Sequence, residues 1–99
     1  MALEQRQLVT IVAESVIEQK LIDDVKKSGA KGYSLGHVKG EGIAGNRSLE
    51  LTGQSIRLET VVTERVAQQI MEMLSRDYFE KYAVVAWVTP AQVLRPDHF

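Results

Sequence analysis

SIRLETVVTERVAQQIMEMLSRDYF, residues 55–79, changes its hydrophobic period partway along. From Ser55 to about Thr63 the apolar residues Ile56 and Leu58 alternate with polar ones before Val61 and Val62, the pattern of a strand. Beyond Thr63, Val66, Ile70, Met73 and Leu74 recur at helical spacing, which predicts an amphipathic helix through about Phe79. Thr63 suits its N-cap, because a threonine hydroxyl can accept from a free first-turn amide. A strand that feeds directly into a helix needs strand partners on either side.

Upstream, QLVTIVA (residues 7–13) is rich in β-branched residues and too short for a helix, so it reads as a buried strand. From Ser15 to Ser28, Val16, Ile17, Leu21, Ile22 and Val25 mark one face of a helix. Ser15 is the expected cap, Lys26 and Lys27 suit the negative helix end, and Gly29 suits a left-handed terminus. GYSLGHV (32–38) predicts a second strand with Tyr33, Leu35 and His37 on one face, weakened by Gly36. AVVAWV (83–88) predicts a buried strand ending before Pro90. The order is βαββαβ, an α+β, ferredoxin-like sandwich with an antiparallel sheet and two helices on one face. Fold alone does not assign function, so the side chains must.

At 99 residues the chain is expected to be one domain, 1–99. A domain of this size buries little more than ~60% of its unfolded surface, so its stability is expected to lean on a partner subunit. A net charge of −1 argues against holding nucleic acid by phosphate neutralisation. The chain has no cysteine, which excludes disulfides, thiolate metal sites and cysteine nucleophiles. No window approaches ~18 consecutive apolar residues and the N-terminus has no signal-like core, so a cytoplasmic, non-inserted protein is expected.

An RNA-recognition module of this topology stacks bases on strand aromatics, and SIRLETVV has none. His37 and His98, the two imidazoles, lack ligand-spaced partners and read as a strand-end and a tail histidine, so no metal site is expected. No GxSxG elbow is present and neither histidine has an orienting carboxylate nearby in sequence, so no catalytic residue and no enzyme activity are expected. Asp23 and Asp24 read as a solvated helix face. Trp87, Tyr78 and Phe79 read as core or subunit contacts, and LRPDHF (94–99) as a frayed end, with a seat over a cleft as the alternative.

The remaining feature is GYSLGHVKGEGIAGNRSLELTGQS, residues 32–55, which holds six of the seven glycines. Glycines let backbone amides approach an anion closely, and Arg47 offers a bidentate fork. The P-loop order GxxxxGK[ST] is absent, so the composition leaves two readings open: a plain surface loop or an anion-binding loop. Its length between two strands favours a functional segment.

GAKGYS (29–34) resembles the GAxGYT turn of the PII-like signalling superfamily. The segment GEG…NRS (40–48), the strand SIRLETVVTER, similar to NxKFEVLT of its SbtB branch, and the DYFEKYA turn extend the likeness over nearly the whole chain. The nearest branch is that of the inorganic-carbon proteins, SbtB and the carboxysome-associated CPII. The resemblance implies a homotrimer with adenine nucleotide at three inter-subunit clefts and a mobile T-loop at about 39–54. It implies ADP or AMP with bicarbonate as ligands, with ATP or cAMP as alternatives, and a bicarbonate transporter or carboxysome-linked protein as partner. Ala44 stands where the branch carries a first arginine, and the glycine and lysine-rich B-loop is replaced by EKYAVV; both departures favour a mono- or diphosphate. A CutA-like metal-responsive trimer and an ACT-type module remain alternatives.

On this resemblance, adenine is expected against Thr60 and Val61, and phosphates against Gly40, Gly42 and Arg47. Arg57 and Arg95 are the next anion contacts. Glu41 and Glu59 either receive a bicarbonate proton or pair with arginines. Ser34, Asn46, Ser48 and Tyr82 complete the expected set.

Overall fold

The structure, a computed structural model, describes residues 2–39 and 54–99. Its elements are β1 (Glu4–Glu14), α1 (Glu18–Lys27), β2 (Ser34–Val38), β3 (Ser55–Val62), α2 (Glu64–Asp77) and β4 (Val84–Val93). All pairings are antiparallel and the sheet order is β2-β3-β1-β4. The expected βαββαβ order and class are those observed. Among the described residues no helix is long and apolar enough to cross a membrane.

Alternation assigns the two faces of the sheet. Val9, Ile11 and Ala13 of β1 and Ile56, Leu58 and Val62 of β3 join Leu21, Ile22 and Val25 of α1 and Ala67, Ile70, Met73 and Leu74 of α2 in one core. Both helices therefore cover the same face. On the other face β1 carries Thr10 and Val12, still only 1% and 3% exposed, because cross-strand neighbours wall them in. Glu59 and Trp87 flank Thr10, and Arg57 and Val85 flank Val12.

Several local expectations change. Ser15 does not cap α1: residues Ser15–Ile17 form a 3-10 turn, no side chain caps either helical start, and Val16 points to solvent at 77% exposure. Thr63 does cap α2, its hydroxyl accepting from the Val66 amide at 3.3 Å, but the helix stops at Asp77. Gly29 ends α1 with φ +118°, as expected of its position. β2 begins at Ser34, leaving Tyr33 outside it and exposed, and His37 is also exposed. β4 extends to Val93 through Pro90, paired in register with Gln7. Proline is tolerated there because β4 is an edge strand and loses no second ladder. The expectation of a buried fourth strand holds only near Val84, since Trp87 is 38% exposed. Tyr78 is fully buried in the core, while Phe79 is 43% exposed.

Candidate functional site

The β2–β3 ladder stops at Ser34–Glu59, whereas β3 continues to pair with β1 through Thr60, Val61 and Val62. Among the described residues, the β2-side edge of β3 is therefore without a strand partner at Thr60 and Val61. A cleft of about 370 Å³ opens there. That volume lies within the roughly 300–1,000 Å³ of small-molecule sites.

Leu8 of β1 and Glu59, Thr60 and Val61 of β3 form one side of the cleft. Gly32, Tyr33 and Ser34, at the entry to β2, form a second, and His98 and Phe99 a third. Thr60 fixes the junction: its hydroxyl, in a residue 2% exposed, donates to the Gly32 carbonyl at 2.6 Å. Because that donor is spent, β3 presents main-chain groups here, and an unpaired strand edge carries alternating amides and carbonyls that suit a flat heterocycle's rim.

Glu59 is held from two sides. Thr10 Oγ1 donates to its Oε2 at 3.2 Å, and Arg57 Nη2 lies 3.5 Å from the same oxygen. The Arg57 guanidinium also sits 5.8 Å from the Trp87 ring centroid, on the sheet face opposite the helices. Of the two roles expected for Glu59, pairing with an arginine is the one its contacts display.

The segment after β4 turns back over this cleft. Arg95 adopts a left-handed φ of 55°, and Pro96–His98 form a 3-10 turn. Arg95 Nη2 lies 3.0 Å from His98 Nε2. The same His98 nitrogen lies 3.8 Å from Asp97 Oδ2. Two cations reach the turn's carbonyls: Arg6 Nη2 donates to Pro96 O at 3.3 Å and Lys31 Nζ to Asp97 O at 3.4 Å. The default of a frayed tail is thus replaced by the alternative seat over the cleft.

Of the thirteen residues expected at the site, Ser34, Glu59, Thr60 and Val61 line the cleft together. Arg57 and Arg95 do not line it, but each contacts a residue that does. Tyr82 lies elsewhere, packed on the core with its ring 5.5 Å from that of Tyr78. Gly40, Glu41, Gly42, Asn46, Arg47 and Ser48 lie outside the described residues. Leu8, Gly32, Tyr33, His98 and Phe99 are the lining residues that the sequence reading leaves out of its set. Gly32 and Tyr33 stand inside the GAKGYS motif, which is the signal that points to them. His37 lies 3.4 Å from Glu18, remote in sequence from His98, and no group of three potential metal-ligating residues occurs among the described residues.

A ferredoxin-like sheet with a ligand-sized cleft where an edge strand parts from its neighbour defines a small α+β binding module. Residues 6–98 match the family model of nitrogen regulatory protein P-II, and the chain belongs to that family as a PII-like regulatory protein. A candidate PII-like signaling protein from Thermus thermophilus is 47% identical, with a TM-score of 0.86 over 100% of this chain and 99% of that one. CPII from Thiomonas intermedia K12, bound to ADP and bicarbonate, is 25% identical, with a TM-score of 0.84 over 99% and 97% of the two chains. CPII bound to ADP, AMP and acetate is 23% identical over 100% and 98%, and its TM-score of 0.87 shows the shared fold.

Proposed function

We propose that the chain acts as a homotrimer whose clefts, each completed by a neighbouring subunit, take ADP or AMP together with bicarbonate and report that occupancy to a protein partner. The observation that carries this reading is the end of the β2–β3 ladder at Ser34–Glu59, with a ligand-sized cleft against the edge of β3 that no described strand pairs. Support comes also from the ADP and bicarbonate bound by CPII.

Adenine would lie against the main chain of Thr60 and Val61, with the Leu8 side chain as apolar contact. The described lining holds one side-chain carboxylate, Glu59, and no lysine or arginine. Phosphates therefore need cations from outside it: Lys31, Arg57 and Arg95 are the nearby ones among the described residues, and Arg47 is the one expected from the sequence. A charge-assisted hydrogen bond of this kind contributes roughly 1.5–3 kcal/mol. With Glu59 engaged by Thr10 and Arg57, Glu41 is the better acceptor for bicarbonate's hydroxyl. Residues 39–54, ordered by Gly40, Gly42 and Arg47 around the anion, would form the T-loop read by a bicarbonate transporter or carboxysome-linked protein.

Calorimetric titration with ADP, AMP, ATP and cAMP, each with and without bicarbonate, tests the reading. ADP or AMP heat that grows with bicarbonate, is lost in Arg47→Ala and persists in His37→Ala supports it. Absence of heat with every nucleotide sinks it, and cAMP binding indifferent to bicarbonate moves the assignment to an SbtB-type regulator.

A further inference from the structure

We propose that Arg6, together with Lys31, is a positioning residue of the cleft: by holding the Pro96 and Asp97 carbonyls they seat residues 95–99, so that His98 and Phe99 form a wall of the site. The affinity part of this proposal rests on the nucleotide reading above; the seating part does not.

The Arg6 side chain is only 18% exposed, unusual for an arginine whose ion-pair partner among the described residues, Glu4, is itself 57% exposed and 3.5 Å away. Its head groups go mostly to main-chain oxygens, Nη1 to Gln5 O at 2.9 Å and Nη2 to Pro96 O at 3.3 Å, with Glu4 Oε2 at 3.5 Å. Its Nε is buried with no partner among the described residues. A desolvated donor without an acceptor is unfavourable, so the guanidinium keeps this place because of what its other nitrogens hold. Lys31 approaches from the loop before β2, so two cations from separate parts of the chain converge on consecutive carbonyls.

The turn they hold has little local preference for its shape. Arg95 is the one non-glycine residue with positive φ among those described, a conformation that costs an L-residue free energy. Within the turn, the backbone bonds are His98 N to Arg95 O and Phe99 N to Pro96 O, both 3.1 Å. Arg6 and Phe99 thus share the Pro96 carbonyl, which links a β1 cation directly to the residue walling the cleft. Leu8, two residues along β1 from Arg6, lines the same cavity. Removal of Arg6 releases the wall while the sheet that carries Leu8 stays paired.

The chain has two phenylalanines, Phe79 and Phe99, so uniform 4-fluorophenylalanine labelling gives two fluorine resonances, assigned with Phe99→Leu. In the ligand-free protein Arg6→Ala is expected to shift and sharpen the Phe99 resonance and leave that of Phe79 in place. Arg6→Lys, which keeps one donor, retains most of the wild-type position, and Lys31→Ala gives a smaller displacement. Calorimetry with ADP plus bicarbonate is then expected to show about tenfold weaker binding in Arg6→Ala, from loss of roughly one hydrogen bond's worth of ordering, with partial recovery in Arg6→Lys. A Phe99 resonance unmoved by Arg6→Ala overturns the seating, whether or not ADP binds. A displaced Phe99 with unchanged ADP affinity overturns the positioning role. Wild-type protein that binds no ADP overturns the nucleotide reading and the affinity claim with it, while the ligand-free spectra still decide the seating.

Discussion

The Thr60 hydroxyl donates to the Gly32 carbonyl across 2.6 Å at the point where β2 leaves β3. Both residues line the cleft, so one hydrogen bond sets the separation between two of its sides. Thr60→Val keeps the shape but strands the carbonyl, a loss of about 1–3 kcal/mol. For a domain of this size each kcal/mol corresponds to roughly 4–8 °C in Tm. Thr60→Ser keeps the donor and is expected to remain near wild type. Thermal unfolding at fixed protein concentration checks this, and a Thr60→Val protein as stable as wild type would show that the bond is not what holds the junction.

A second hydrogen bond ties the helices together. The buried Tyr78 phenol donates to Asp24 Oδ2 at 2.7 Å, and Lys20 Nζ reaches the same oxygen at 2.9 Å. Burial pushes the Asp24 carboxyl up, but the bonds from Tyr78 and Lys20 outweigh it and leave the group below its ordinary value. Burial first, and then the Asp24 carboxylate, raise the Tyr78 phenol above its own. A lowered carboxyl contributes stability above its unfolded pKa of about 4 and loses it as pH falls through the folded value. A raised phenol contributes below its unfolded pKa of about 10 and loses it as pH climbs. Tyr78→Phe is therefore expected to cost roughly 1.5–3 kcal/mol near neutrality. The gap to wild type closes in acid and again above pH 10. Denaturant melts across pH check it; a gap that ignores pH would contradict the assignment.

What the sequence made legible follows the range of the forces involved. Periodicity and the Thr63 cap are local, and they place β3 and α2 to within two residues. Gly29 is legible for the same reason. The Ser15 cap fails because β1 runs on to Glu14 and a 3-10 turn follows, a matter of how strand and helix meet in space. Pro90 reads as a stop, and it is one only in a strand paired on both sides; β4 is an edge, which a linear reading does not reveal. The seat of residues 95–99 depends on Arg6 and Lys31, distant in sequence, so the LRPDHF run by itself reads as loose. At the cleft, the family-like GAKGYS motif and the β3 end are readable, whereas the part played by His98 and Phe99 is not.

Trp87 lies on the sheet face opposite the helices at 38% exposure, beside the Arg57 guanidinium and next to the buried Thr10. A half-exposed indole on the edge strand of such a face is expected to be covered in the homotrimer. Trp87→Glu puts a charge there and should shift sedimentation from trimer toward smaller species, with loss of ADP affinity if, as proposed, a neighbouring subunit completes the cleft. A trimer of unchanged stability would remove this face from the interface.

Gly29 connects stability to the site. Its φ of +118° strains any L side chain, and an added Cβ would stand 3.0 Å from Val66 Cγ2 on α2. Gly29→Ala is therefore expected to destabilise by more than about 1 kcal/mol, from backbone strain and the clash together. The two terms separate in a double-mutant cycle: Val66→Ala removes the methyl groups that the new Cβ meets and leaves φ unchanged. The double variant should recover part of the loss relative to the sum of the single variants. Full additivity would mean that strain acts alone, with the helices already adjusting around the extra carbon. Because Gly29 stands at the head of GAKGYS, three residues before Gly32, the same substitution should also move the Gly32 carbonyl relative to Thr60 and weaken ADP binding in proportion. Gly29→Ala with reduced Tm and unaltered ADP affinity would show that the turn and the cleft are mechanically separate.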